Sequence, residues 1–193
     1  MSISAVRAVV LVVQGAGENA HAVDQALADA LGQALGAGFH VVFPRLPGED
    51  DPDGEAWKQA IAAEVRRSGA AVVVAHSVGA TNTADLLAEG RYGAELPRLR
   101  GLFLLAPPFA GPGGWNLPGF HFDHATSRQS LDGLAIHFYF GTADQTVPPT
   151  HAGLYEQAFP DAVFHRIAGA DHQFNGQIGR VADDIRALVM PPS

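Results

Sequence analysis

Residues 70–90 read AAVVVAHSVGATNTADLLAEG, and their reading decides the fold. A short apolar run meets a helical segment across Ala75-His76-Ser77-Val78-Gly79. A β-branched run feeding directly into a helix is the repeating unit of a parallel sheet. The ordinary reading of the junction is a connecting turn. The sharper reading is a strained elbow that holds Ser77 out as a nucleophile. Such an elbow turns tightly and needs small neighbours, and Ala75, Gly79 and Ala80 supply them. The general pattern is G-x-S-x-G, and here Ala75 stands in place of the first glycine.

The same alternation runs outward in both directions. Apolar runs at 6–13, 40–43, 71–75, 102–105, 136–140 and 163–167 are continuous rather than alternating, which predicts strands buried on both faces. Helical spacing lies between them. Val23, Leu27, Leu31 and Leu35 recur every fourth residue, and Gly36 and Gly38 stop that helix. Trp57, Ile61 and Val65 repeat the spacing, with Arg66 and Arg67 near the helix end, where cations suit its dipole. Val181, Ile185 and Leu188 form the last stripe before Pro191 and Pro192. Strand and helix in alternation predict an α/β fold, a three-layer α/β/α sandwich around a mostly parallel six-stranded sheet, in one domain spanning 1–193. The long irregular segment 106–132 is rich in Gly, Pro and aromatics, and a loop of that length is expected to cover a pocket.

Composition removes several classes. The 193 residues are 47% hydrophobic and 17% charged, enough for a substantial core. The net charge of −8 argues against a nucleic-acid or anionic-membrane partner. With no cysteine, disulfides, thiolate metal sites and cysteine nucleophiles are excluded. The apolar run 8–13 is short for a signal core and leads straight into a turn, so a cytoplasmic location is the expectation.

A serine hydroxyl needs a base to take its proton, usually a histidine oriented by a carboxylate. In this architecture the order is serine, acid, histidine, each in a loop after a strand. The strand IHFYF runs into GTADQTVP, which places Asp144 just past its end. The strand VFHRI runs into AGADHQF, which places His172 in the next such loop. The oxyanion formed during acyl transfer needs two backbone N–H donors. Val78 follows the nucleophile and supplies one; the loop QGAGEN supplies the other, at Ala16 between Gly15 and Gly17.

With FPRLP before Trp57, VVVAHSVGA, FGTADQTVP and DHQF in place, the chain resembles the α/β-hydrolase superfamily over nearly its whole length. More narrowly it resembles the small lidless serine hydrolases of the retinoblastoma-binding-protein-9 and YdeN type. The resemblance implies strand order 2-1-3-4-5-6, no cap domain, and a triad of Ser77, Asp144 and His172. Many relatives have His-Gly where this chain has Gln14-Gly15, but a side-chain donor is not required there. The implied activity is hydrolysis of small or medium acyl esters through an acyl-enzyme, with a small-molecule acyl substrate and no cofactor. The same machinery would serve a thioesterase or a small amidase or peptidase. A catalytically silent fold used for binding, and acyl transfer to an acceptor other than water, are the remaining alternatives.

Other residues have plainer readings. His76 is expected to pack or to line the pocket, and Asp171 to be a solvated loop residue rather than the acid. His121, Asp123 and His124 lack a completing ligand cluster, so no metal is expected. His151 reads as a surface or capping residue and His21 as an exposed residue of a first helical turn. Phe109, Trp115, Phe120 and Phe122 either wall a substrate pocket or anchor the loop. The acidic stretch GEDDPDGE reads as a solvated loop that caps the next helix.

Overall fold

The structure is a computed structural model that describes residues 8–90, 99–117 and 133–190. The elements are β1 (Ala8–Val13), α1 (Ala20–Leu35), β2 (Phe39–Val42), α2 (Gly54–Ser68), β3 (Val72–His76), α3 (Ser77–Ala88), β4 (Gly101–Leu105), β5 (Ala135–Gly141), α4 (Thr150–Ala158), β6 (Val163–Ile167) and α5 (Gly179–Val189). The strands form one sheet in the order β2-β1-β3-β4-β5-β6, and every neighbouring pair is parallel. Strands β3 and β4 are buried throughout, as their unbroken apolar runs require, whereas the edge strands β2 and β6 are half-exposed.

Side chains alternate across the sheet and split the core in two. Leu11, Val13, Val73 and Phe138 face α2, α3 and α4, where Trp57, Ile61, Val65 and Tyr155 are buried. Val10, Val12, Phe103 and Tyr139 face α1 and α5, where Leu27, Leu31, Val181 and Ile185 are buried. Helix ends follow their sequence signals. The Asp53 side chain accepts the Ala56 N–H at 2.7 Å and starts α2, and Gly69 ends it with φ of 64°. Buried Lys58 on α2 is neutralised by Asp85 at 2.7 Å and Glu89 at 2.5 Å on and just beyond α3.

One predicted stripe keeps Leu27, Leu31 and Leu35 but loses its first member. Val23 is 50% exposed, and the buried face of α1 runs through Ala20, Asp24, Leu27, Leu31 and Leu35. A 3.6-residue period reaching Leu27 and Leu31 passes through position 24, so an acid occupies a core position. His21 is half-buried, its ring stacked on Phe43 at 4.4 Å, rather than simply exposed. Among the described residues no helix is long and apolar enough to cross a membrane.

The topology itself selects the functional edge. The chain leaves β1 for β2 on one side, then crosses back to β3 on the other side of β1. That reversal opens a crevice beyond the carboxyl ends of β1 and β3, where ligands of open α/β sheets sit. The loop 14–19 and Ser77 are the residues found there.

Trp57 anchors α2, fully buried with its Nε1–H donating to the Pro47 carbonyl at 2.6 Å. Trp57→Ala is expected to lower unfolding stability in urea by about 3–5 kcal/mol. A loss below about 1 kcal/mol would show that α2 is not held by this side chain.

Candidate active site

The elbow is real in the backbone. Ser77 has φ of 50°, a left-handed conformation unusual for a residue with a side chain, and it is the first residue of α3. Such strain persists only where the surroundings over-determine it. Here the turn presses α3 against the end of β1. A Cβ on Gly79 would lie 2.0 Å from the Gln14 carbonyl oxygen, so this position admits only glycine. A Cβ on Gly15 would meet the Ser77 Cβ at 3.2 Å. Ala75, in the first-glycine position of the pattern, is fully buried in β3 and tolerated there.

Three loops converge on Ser77. The His172 Nε2 lies 3.1 Å from the Ser77 Oγ, and its Nδ1–H donates to the Asp144 Oδ2 at 2.9 Å. The other Asp144 oxygen accepts the Thr146 N–H at 2.7 Å and the Val147 N–H at 3.0 Å. Both carboxylate oxygens are thereby fixed, and the imidazole is held in the tautomer that leaves Nε2 facing the hydroxyl. Burial, and then the neighbouring His76, hold the His172 pKa below the ordinary imidazole value, against the Asp144 hydrogen bond, which raises it.

The loop after β1 is braced from two sides. The Gly15 N–H donates to the Asp24 Oδ2 at 2.7 Å, and the Gly17 N–H donates to the Glu49 carbonyl at 2.7 Å. The amides flanking Ala16 are thus engaged, and among the described residues the Ala16 N–H has no protein acceptor. Val78 is the second residue of α3, so its N–H lacks an intrahelical acceptor. Gln14 is fully buried; its Oε1 accepts the Leu46 N–H at 2.9 Å and its Nε2–H donates to Glu49 at 2.8 Å. The Glu49 carboxylate also accepts the His21 N–H at 2.9 Å. Those hydrogen bonds hold Glu49 below its ordinary pKa. The acidic stretch therefore does two jobs: Asp53 caps α2, as expected, while Glu49 braces the loop beside Ser77.

Of the single residues with plainer readings, His151 departs from its own. His151 is buried rather than superficial, and its Nδ1 accepts the Phe109 N–H at 2.7 Å. Its lowered pKa, caused by burial, suits that acceptor role. Phe109 is 4% exposed and packs edge-on against Tyr155, which makes it an anchor of the segment after β4. Trp115 is half-buried, edge-on to His151, with its N–H donating to the Phe109 carbonyl. Asp171 accepts the Asn175 N–H and side-chain amide, so it shapes its own turn and leaves Asp144 as the partner of His172. Phe120, His121, Phe122, Asp123 and His124 lie outside the described residues. His76 is 2% exposed and hydrogen-bonded at both ring nitrogens, so it is a polar core residue rather than a pocket wall.

The close approach at Gly79 generates a paired expectation. Gly79→Ala drives a methyl into the Gln14 carbonyl and is expected to lower stability by at least about 1–3 kcal/mol. Gly153→Ala, in open space on α4, is expected to be neutral or to stabilise by about 0.5–1 kcal/mol. Equal effects in thermal unfolding would remove the close approach from the account.

Similar proteins carry the comparison further. Solved structures with the same fold include the esterase domain of a Rhodothermus marinus protein, 14% identical, with a TM-score of 0.64 over 95% of this chain and 87% of that one. A predicted CIB-like hydrolase from Thermoplasma acidophilum is 16% identical, with a TM-score of 0.69 over 97% of this chain and 90% of that one. An α/β serine hydrolase without a lid from Xanthomonas campestris is 16% identical, with a TM-score of 0.61 over 100% of this chain and 86% of that one. No curated protein matches the sequence. At these identities the structural likeness establishes the α/β-hydrolase fold. The serine hydrolase family model matches residues 44–172, more than half of the chain, and the chain belongs to the serine hydrolase family.

Proposed function

We propose that the protein is a carboxylesterase of small or medium acyl esters, with Ser77 as nucleophile, His172 as general acid–base and Asp144 as its orienting carboxylate. The observation that carries this reading is the unbroken line from Ser77 Oγ through His172 to Asp144, at 3.1 and 2.9 Å. His172 takes the hydroxyl proton as Ser77 Oγ attacks the acyl carbon. It then gives that proton to the departing alkoxide, leaving the acyl-enzyme. Water attacks the acyl carbon with His172 again as base, and the carboxylic acid leaves as Ser77 regains its proton. Asp144 stabilises the imidazolium formed at each step. The Ala16 and Val78 N–H groups receive the oxyanion of both tetrahedral intermediates. A fold neighbour from Rhodothermus marinus that is an esterase domain is in keeping with ester hydrolysis.

The test is turnover of p-nitrophenyl acetate and butyrate by wild type, Ser77→Ala and Asp144→Asn. Wild type is expected to hydrolyse both. Ser77→Ala should abolish detectable catalysis, and Asp144→Asn should lower kcat by on the order of 10⁴-fold, since the wrong tautomer is then held. Unchanged turnover in Ser77→Ala would overturn the assignment. The pH profile adds a sign: His172 must be neutral to accept the proton, and its pKa lies below the ordinary value of 6.5. Activity should therefore rise with pH through a limb below 6.5, and a limb above that value would contradict the burial of the base.

A further inference from the structure

A second histidine is held against the first. His76 ends β3, immediately before Ser77, and both it and Asp24 on α1 are 2% exposed. Its Nδ1 lies 3.0 Å from the Asp24 Oδ2, and its Nε2 lies 2.9 Å from the backbone carbonyl of His172. A carbonyl oxygen only accepts, so Nε2 carries hydrogen. The Asp24 Oδ2 also accepts the Gly15 N–H at 2.7 Å, so one carboxyl oxygen serves both the His76 ring and the oxyanion loop. The two rings lie 4.8 Å apart, tilted by 53°. One buried pair therefore touches all three parts of the site: Ser77 through the chain, His172 through its carbonyl, and the amide next to Ala16 through Gly15.

We propose that His76, oriented by Asp24, is a positioning residue for the reaction, clasping the main chain of the base and the main chain of the oxyanion loop to the same strand end. This inference rests on the hydrolase reading of Ser77 and His172. Packing alone needs no polar pair here, since apolar side chains of similar volume would fill the space without the desolvation cost of a buried acid. The hydrogen bonds select orientation. The ring of His76 bonds Asp24 and the His172 carbonyl rather than Ser77 Oγ or the Ala16 N–H, so its effect on catalysis passes through backbone placement, to which rates are sensitive on the scale of 1 Å. The groups acting on His172 are Asp144 from the loop after β5, His76 from β3 and Asp24 from α1. Of these His76 lowers its pKa, and Asp144 and Asp24 raise it.

Two amide replacements separate positioning from packing. His76→Gln can place an N–H near the Nε2 position and keep the bond to the His172 carbonyl. His76→Asn is too short to reach it. The expectation is a loss of roughly 10- to 100-fold in kcat on p-nitrophenyl butyrate for His76→Asn with KM little changed, and recovery of most of that loss in His76→Gln. Because the His76 ring is one of the groups that lower the His172 pKa, His76→Gln should also move the acid limb of kcat/KM to higher pH. Equal kcat in the two folded variants with an unmoved limb would overturn the proposal. Nitrogen-15 NMR of the wild-type histidine rings tests the clasp without turnover and without a variant that must fold. His76 Nε2 is expected to be protonated, with a slowly exchanging hydrogen, at pH 7.5. An unprotonated His76 Nε2 would overturn the proposal even if the ester is hydrolysed. Wild type that shows the protonated nitrogen but no turnover would locate the failure in the hydrolase reading instead, and with no reaction to position, His76 would lose the role.

Discussion

The site depends on the packing of α3 against the end of β1, where the Gly79 backbone passes over the Gln14 carbonyl with no room for a side chain. That approach lets the chain turn straight from β3 into α3 and forces Ser77 into φ of 50°. Strain of this kind costs about 1–3 kcal/mol and has to be offset by the surroundings. The offset here is the central sheet. Strand β3 is buried along its whole length between β1 and β4, with α3 packed beneath it. The serine is thus presented at the end of a strand buried along its whole length, while the groups around it arrive on loops.

Those loops are not left to find their own positions. Asp144 is fixed by two backbone amides of its own turn, and the loop 14–19 is held by Asp24 on one side and Glu49 on the other. Asp144 and Asp24 brace as carboxylates accepting backbone N–H groups, whereas Glu49 takes the Gly17 N–H on its main-chain carbonyl and the His21 N–H and Gln14 amide on its carboxylate. Charge-assisted bonds of this type are stronger and more directional than neutral ones, which suits a site whose donors must stay in place while charge develops. The lowered pKa of His172 follows from the same enclosure, since burial disfavours the imidazolium, which suits the proposed role of the ring as a base.

Much of this was legible in the sequence, and the parts that were not share a cause. Continuous β-branched runs and fourth-residue helical spacing gave away the parallel sheet, the family resemblance implied its order, and Ser77, Asp144 and His172, which the structure brings within hydrogen-bond reach, were picked out because each follows a strand in chain order. The bracing residues were hidden because they are lone polar side chains inside apolar patterns. The stripe drawn through Val23 left Asp24 unremarked. Leu27, Leu31 and Leu35 are buried as that stripe predicts, but Asp24 takes the core place given to Val23 and meets a histidine 52 positions away. Glu49 sat in an acidic run whose other members, such as Asp53, do cap and solvate a loop. His76 bonds a carbonyl 96 positions on, and nothing local marks that partner. Residue type and spacing reveal the chain's periodic contacts, whereas polar contacts between distant loops depend on the finished topology.

The central claim is that Ser77 is an activated nucleophile rather than a serine in a turn. The most direct measurement is intact-mass and peptide-mapping analysis after exposure to a fluorophosphonate probe, which reports activation without a natural substrate. The account predicts one adduct per chain, carried on Ser77, and none in Ser77→Ala. A folded wild-type chain that stays unmodified, or an adduct on another residue, would contradict it.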